Sequence, residues 1–305
     1  GFNRKVMNAA DLRNRGIELQ ADFSVIRSRK FNWDMTLTWS KNKTMVKELY
    51  KNASSFLLDE TWFATIQAVP GEEYGLIYTR DFKRDAFGRV LVDDNGFVLA
   101  GEYKRMGKIT PDWTGSISGK VSYGNFSLAA LVDIRMGGNV YSIGKAYRCL
   151  FGTSAETLTG REEWYSTHDP EYLYSVPLPG IDPNGYIEKG FNENTGQPNA
   201  APVDPMYRWY NIWSKEIGTE WLLDATNARL REISLTYSVP AGILKNFPAK
   251  GLSVSVIANN LLCIYNAMKD IDPESGYSSG NVGGGFEHSA LPSTRTYGFN
   301  VKIDF

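Results

Sequence analysis

The last nine residues alternate strictly between two kinds of side chain. Tyr297, Phe299, Val301, Ile303 and Phe305 fall on one face of an extended strand; Gly298, Asn300, Lys302 and Asp304 fall on the other. The apolar face runs to the terminal residue, where chain ends ordinarily fray. A chain that stops on the apolar residue of a strand reads as tied into a sheet. The same design recurs upstream. Ile17, Leu19, Ala21, Phe23 and Val25 oppose Glu18, Gln20, Asp22 and Ser24. After the turn Ser28-Arg29-Lys30, Phe31, Trp33, Met35, Leu37 and Trp39 oppose Asn32, Asp34, Thr36, Thr38 and Ser40. The pattern predicts a hairpin with one apolar and one hydrophilic face.

A second hairpin follows the same rule. Trp113, Ile117, Val121 and Tyr123 share a face with Gly115 and Gly119, and Gly124-Asn125 is the turn. Phe126, Leu128, Ala130, Val132, Ile134 and Met136 then alternate with Ser127, Ala129, Leu131, Asp133 and Arg135. An inward Asp133 and Arg135 are costly in a dry core and ordinary in a wet lumen. Ile233, Leu235 and Tyr237 alternate with Glu232, Ser234 and Thr236; Leu252, Val254, Val256 and Ala258 alternate with Ser253, Ser255 and Asn259. Two further strands are expected between Thr61 and Met106, for about nine in all. The connections are unequal. Those at Ser28–Lys30, Gly124-Asn125 and Ala241–Lys250 are short, whereas Gly144–Ala225 and Met268–Ser293 are long. Alternating short and long connections collect the long ones at one rim, as transmembrane barrels do.

Composition narrows the alternatives. The 305 residues carry a net charge of −1, which speaks against nucleic acid as a partner. Mean hydropathy is −0.32 with 42% hydrophobic residues, a value that barrels reach because half of each strand faces a polar lumen. No run of about 18 apolar residues marks a membrane helix. The opening Gly1-Phe2-Asn3-Arg4 has neither an initiator Met nor the apolar run of a signal peptide, and the expectation is a fragment or processed piece. Cys149 and Cys263 lie far apart, and His168 and His288 are isolated; neither pair forms a metal spacing or disulfide framework. With no nucleophile–base set and no phosphate loop, the sequence supports no enzyme and no cofactor. Asp270, Asp272 and Glu274 could offer oxygens to calcium, but the spacing lacks the glycine and distal glutamate of a calcium loop, and a turn built around Pro273 is expected.

The long Gly144–Ala225 connection is dense in aromatics, among them Trp164, Tyr165, Tyr172, Tyr174, Tyr186, Tyr207, Trp209, Tyr210, Trp213 and Trp221. On one reading they pack the connection's own small core. On the other, some stack against a sugar ring or peptide, since aromatics give flat contact area at low entropic cost. Trp164, Tyr172, Tyr186, Tyr207, Trp209, Tyr210 and Trp213 are the candidate ligand or partner contacts.

Several motifs occur in a fixed order. Leu12-Arg13-Asn14-Arg15-Gly16-Ile17-Glu18-Leu19 opens the first strand, and Phe31-Asn32-Trp33 the second. Pro70-Gly71-Glu72-Glu73-Tyr74-Gly75 and the run from Gly107 to Trp113 follow. Then come Asp133-Ile134-Arg135-Met136-Gly137-Gly138-Asn139-Val140-Tyr141-Ser142 and Ala228-Arg229-Leu230-Arg231-Glu232-Ile233-Ser234-Leu235-Thr236-Tyr237-Ser238-Val239-Pro240. Asn259-Asn260-Leu261-Leu262, Asp270-Ile271-Asp272-Pro273-Glu274 and Pro292-Ser293-Thr294-Arg295-Thr296-Tyr297-Gly298-Phe299 complete the set. This ordered set resembles the C-terminal part of the SusC/RagA family of TonB-dependent outer-membrane transporters. The resemblance implies an all-β, transmembrane antiparallel barrel of 22 strands, of which residues 1–305 supply the C-terminal portion; the N-terminal plug and earlier strands are not in this sequence. It implies import of a bulky nutrient, glycan or peptide, with a SusD-like surface lipoprotein as lid and the TonB complex acting through the absent N-terminal part. It makes Phe305 an assembly signal for insertion among outer-membrane lipid. The alternative is a non-transport outer-membrane or surface β-protein, an adhesin or glycan-binding module.

Overall fold

The computed structural model describes residues 10–167, 185–246, 248–275 and 284–305. Tyr172, Tyr174 and His168 lie outside them. Strands β1 (Ala10–Arg27) and β2 (Phe31–Leu49) form the first hairpin. The chain then makes an excursion through β3 (Phe56–Thr61), β4 (Ala64–Ala68), β5 (Leu76–Phe82), the two-residue β6 (Leu91–Val92) and β7 (Ala100–Lys108). It returns as the hairpin β8 (Trp113–Tyr123) and β9 (Phe126–Met136). A second excursion holds β10 (Asn139–Ser142), helices α1 (Ile143–Leu150) and α2 (Arg161–Thr167), β11 (Tyr186–Ile187), β12 (Phe191–Asn192), β13 (Pro202–Val203), helix α3 (Pro205–Ser214) and β14 (Leu222–Asp224). Strands β15 (Asn227–Ser238) and β16 (Gly251–Asn266) follow; a third excursion carries β17 (Phe286–Glu287) before β18 (Thr296–Asp304).

Seven strands make one antiparallel sheet in the order β1-β2-β8-β9-β15-β16-β18. Its register settles direction. Phe31 lies opposite Tyr123, Phe126 opposite Tyr237, and Gly251 opposite Asp304. The turns at 28–30 and 124–125, the 239–250 connection and Phe305 therefore share one rim. The amide of Gly124 donates to the Lys30 carbonyl and that of Ser238 to the Asn125 carbonyl, each at 2.9 Å, so the turns are stitched to one another. All three excursions leave from the other rim.

The sheet is two-faced as the alternation requires. Phe126, Leu235, Val254, Phe299 and Ile303 are exposed, and Trp33, Leu37 and Val132 are partly exposed; none packs into an interior. Phe31, Tyr123, Phe126 and Tyr237 form a register row of aromatics near the short-turn rim, with the Phe126 and Tyr237 rings 4.9 Å apart. Towards the other rim, Trp39 lies opposite Gly115, and the Trp113 ring reaches over that glycine, 3.4 Å from where a Cβ would stand. Phe31 and Trp39 are eight residues apart, or ~27 Å along a strand. That matches an outward apolar band of about 25 Å bounded by aromatic girdles.

Two expectations need correction. The wall sheet has seven strands rather than about nine. The stretch around Thr61–Met106 contributes none of them; β3, β4, β5 and β7 form a separate four-stranded sheet. Their apolar side chains face a dry interior: Ala64, Ile66, Leu76 and Ile77 are buried, so no lipid-facing alternation develops. Over its described residues the long Gly144–Ala225 connection is built from helices and short strands. Ser142 caps α1 by accepting from the Lys145 amide at 2.9 Å, and Asp204, followed by Pro205, caps α3 by accepting from the Met206 amide at 2.7 Å. One core joins all three excursions. Ile66, Ile77, Tyr141, Ala146, Trp209, Ile212, Trp221 and Phe286 pack together in an outer body above the long-loop rim.

Within that body the first excursion carries a tandem turn. Asp85-x-x-Gly88-x-Val90-Leu91 and Asp93-x-x-Gly96-x-Val98-Leu99 fold alike. The Asp85 carboxylate accepts from the amides of Phe87 and Arg89 at 2.9 Å, and that of Asp93 from Asn95 and Phe97 at 3.0 Å. Both glycines adopt positive φ, 80° and 85°, which a side chain would strain.

Lipid-side and lumen-side positions should respond oppositely to charge. Ile233, in the row of Met35, Gly119 and Ala130, lies midway between the girdles. Ile233→Lys should cost the full-length barrel about 2–4 kcal/mol, whereas its neighbour Ser234→Lys should stay within about 0.5 kcal/mol. Urea-dependent loss of the heat-modifiable form in lipid vesicles measures both.

Candidate functional site

The polar face of the sheet starts as a ladder of hydroxyls. Thr38 bonds Ser116 at 2.7 Å, Ser122 bonds Ser127 at 2.8 Å, and Thr236 bonds Ser255 at 2.8 Å. Each is a cross-strand neighbour pair, so short polar residues satisfy one another without charge. A recess of about 420 Å³ lies against this face, walled by Thr38, Ser116, Asp133, Arg135, Arg231 and Glu274 among others.

Charge enters where the alternation breaks. Between Leu230 and Glu232 the register of β15 slips against both neighbours: Arg231 is an extra residue against β9, and it stands against two residues of β16, Asn260 and Leu261. Such a bulge re-aims a side chain, and here Arg231 and Glu232 both lie on the polar side. Asn260 in β16 matches it with a positive φ of 52°. The Arg231 guanidinium donates to Asp133 on β9 at 2.8 Å, to the Asn260 side chain at 3.0 Å and to Glu274 at 2.5 Å. Two residues earlier, Arg229 donates to Asp272 at 2.5 Å and to the Ser293 hydroxyl. The expected Pro273 turn thus exists as a clasp: Asp272 and Glu274 serve two arginines, and Asp270 pairs with Arg148 of α1 at 2.9 Å. Among the described residues no group of His, Cys, Asp and Glu has the geometry to hold a metal ion. Burial alone would raise the Asp272 carboxyl; the Ser293 hydroxyl, the amides of Glu274 and Ser293, and Arg229 outweigh it and hold the group below the ordinary carboxylate range.

The aromatic candidates separate into three groups. Tyr186 and Trp209 hold Arg208, whose guanidinium sits 4.9 Å and 4.2 Å from their ring centroids and donates to Glu188. Burial raises the neighbouring Glu220 carboxyl. Trp209 is 5% exposed and belongs to the body's core, as does the buried Trp164. Tyr207 packs between Phe97 and Tyr210, at 5.3 Å and 5.4 Å, and Tyr210 is half exposed. Trp213 joins a cluster with Trp62, Phe63, Tyr147 and Trp221, at 5.2, 4.9, 5.5 and 5.8 Å. Sequence reasoning missed the exposed members of that cluster. Trp62 stands at the β3–β4 turn, and Phe151 stacks on Tyr147 at an interplanar angle of 7°. The signal for Trp62-Phe63 was a bulky pair between two short strands, where Phe63 takes a positive φ of 67°. Cys149 is inert: burial, then Glu156, push its thiol up to about 12.

No protein-family model matches the chain. Two proteins of Formosa agariphila, TonB-dependent receptor P3 and TonB-dependent receptor P26, are each 23% identical to it over its full length. The chain spans about 30% of the length of either relative. Among solved structures it is similar to the RagAB peptide transporter, with a TM-score of 0.62 at 18% identity over 98% of this chain and 30% of the other. It is also similar to the RagAB peptide importer in its closed-closed state, with a TM-score of 0.61 at 16% identity over the same shares of the two chains. The resemblance to receptors of the SusC/RagA type thus runs from end to end, and the fold is that of the C-terminal barrel portion.

Removing the Asp272 carboxylate leaves the buried Arg229 with Glu274 alone, at 3.4 Å, a change that costs up to about 3–5 kcal/mol. Asp272→Ala should open residues 267–275 and speed trypsin cleavage after the exposed Lys269 by about tenfold or more. The clasp also depends on pH. Because folding lowers the Asp272 carboxyl, its contribution is fully present above the unfolded value of about 3.9. It is lost as pH falls through the folded value, so cleavage of the unmodified protein by an acid-active protease should rise only in that acid range.

Proposed function

We propose that this chain is the C-terminal wall of a SusC/RagA-type TonB-dependent receptor in the bacterial outer membrane, which admits a bulky nutrient beneath a SusD-like lipoprotein lid. The observation that carries the reading is the two-faced seven-stranded sheet with stitched turns at one rim and a folded body at the other. A soluble module would bury the face that carries Phe126, Leu235 and Phe299; here it is bare. In a bilayer it meets lipid, and the hydroxyl ladder meets water. The plug, the segment that meets the TonB complex and the remaining strands belong to the part of the receptor outside this chain. The proteins it resembles carry the names of receptors and transporters, and no residue is given a catalytic role.

The outer body is the surface offered to lid and nutrient. With Trp164 and Trp209 committed to its core, the contacts fall to its exposed aromatics and apolar side chains, Tyr210 of α3, Phe151 and Leu158 among them. Interfaces favour such anchors. The nutrient is a glycan or a peptide. The direct test deletes the full-length receptor and surveys growth on single oligosaccharides and peptides; loss on one class identifies the cargo. Unchanged growth on all of them, with the wild-type protein verified in the outer membrane, would point to an adhesin instead.

Two substitutions probe the parts. Phe305→Asp should sharply lower folded protein in the outer membrane, since it loses the last lipid-side aromatic and adds about 1 kcal/mol of desolvation near the interface; immunoblots of outer-membrane fractions measure this. The triple change Phe151→Ala, Leu158→Ala, Tyr210→Ala should leave barrel yield unchanged and reduce co-purification of a SusD-like lipoprotein by about tenfold or more.

A further inference from the structure

Above the upper girdle, the outward face of the β1–β2 ribbon changes from apolar to cationic. Lys41 lies opposite Ile17, Lys43 opposite Arg15, and Met45 opposite Arg13. Directly opposed residues of an antiparallel pair share a face, and Ile17 is among the exposed lipid-side residues. Arg13, Arg15, Lys41 and Lys43 therefore stand on the lipid side, and all four are exposed. Lys41 follows Trp39 by two residues and Lys43 by four, about 7 and 14 Å beyond the girdle along the strand. Headgroups occupy that depth, just outside the hydrocarbon.

The four cations have no internal explanation. Among the described residues none has a carboxylate within ion-pair distance. Arg15 and Lys43 face each other directly, an arrangement that destabilises a strand pair. Glu72 and Glu73, which share a recess with Lys43, are held by Arg105 at 2.8 Å and by the Thr110 hydroxyl at 2.6 Å, and Glu18 and Asp22 are on the polar face; Asp11 and Glu48, opposed to one another, follow on the cationic face one step beyond Arg13 and Met45.

We propose that this ribbon is a docking site for a phosphorylated lipid headgroup of the outer leaflet. The proposal rests on the barrel reading above, which puts the long-loop rim outside the cell. Continuity with the apolar band commits the site to a lipid: its acyl chains lie along Ile17, Leu19 and Trp39 while its phosphates sit between the opposed Arg15 and Lys43. Arginine forks suit phosphate oxygens, and a basic cluster at the edge of a membrane span binds anionic headgroups with additive contributions from each cation. An anion bound there removes the like-charge repulsion that the bare ribbon carries.

The test reconstitutes the full-length receptor in phosphatidylcholine vesicles doped with bis-phosphorylated lipid A or with its dephosphorylated form, then re-extracts it and measures retained glycolipid by mass spectrometry. The wild type should retain the phosphorylated form about tenfold or more over the dephosphorylated one. R13Q/R15Q/K41Q/K43Q should lose that preference. The charge-preserving R13K/R15K should keep most of it, and R29Q/K30Q, at the opposite rim, should keep all of it. Should the quadruple variant fail to form a barrel, K41Q/K43Q supplies the same comparison with an intermediate loss expected. Equal retention of both glycolipids by the wild type, or undiminished preference in the glutamine variants, overturns the proposal. Displacement of the lipid by inorganic phosphate alone overturns it in favour of a free-anion site. A wild-type protein that gives no heat-modifiable barrel defeats the barrel reading itself, an outcome distinct from a sound barrel that binds lipid without preference.

Discussion

In hydrocarbon a backbone amide has no water to turn to, so each strand of a membrane wall depends on its neighbours for every hydrogen bond. That accounting explains the regularity of the sheet. Strand β2 pairs with β8 over ten consecutive residues without a slip, and β8 with β9 over eleven. It also dictates the two-faced chemistry, because a strand with both neighbours in place can vary only its side chains. What the outward face loses in sequence freedom, the excursions regain. Above the rim the chain meets water, and there it builds helices, short strands and a second sheet around a core of its own.

The same contrast decides what could be read from the sequence. Wall strands announce themselves because one face meets lipid and the other water, so Ile17–Val25 and Phe31–Trp39 alternate without exception, and Phe126–Met136 departs only at Ala129 and Leu131. The outer body lacks that asymmetry. Ala64–Ala68 and Leu76–Phe82 are covered by α3 residues such as Ile212 and by Trp221, and their pattern merges with that of a soluble core. Helices α1 and α3 are eight and ten residues long, too short for periodicity to speak, although Asp204-Pro205 and Ser142 were legible caps. The spacing of Asp85 and Asp93 with Gly88 and Gly96 was a legible repeat. The bulge at Arg231 was not. Arg229-Leu230-Arg231-Glu232-Ile233 alternates acceptably in either register, and only the partners on β9 show which residue is extra.

Among the candidate aromatics, sequence alone could not divide structural from available rings. Trp164 and Trp209 went inward because the body needs volume and because Arg208 needs a flat, desolvated seat between Trp209 and Tyr186. Buried ion pairs of this kind add little net stability; they penalise alternatives, since any other arrangement strands a charge. The Arg229–Asp272 pair applies that logic to the third excursion, fixing residues 267–275 against the wall at one place.

On the proposed reading, the wall also has to let its cargo go. Fixed charges that faced the lumen unpaired would hold a polar cargo strongly and slow its passage; conduction favours contacts that are weak and many. The wall meets this in two ways. Its commonest polar residues are serine and threonine bonded to one another, which offer neutral contacts at every step. The cation at its bulge, Arg231, is matched on three sides by Asp133, Asn260 and Glu274 before any cargo arrives. The lipid-side ribbon of Arg13, Arg15, Lys41 and Lys43 has the opposite character, unmatched and like-charged. Two faces of one sheet thus carry different electrostatic designs: the inner cation at the β15 bulge is neutralised in place, while on the proposed reading the outer ribbon takes its counter-charge from a permanent neighbour in the leaflet.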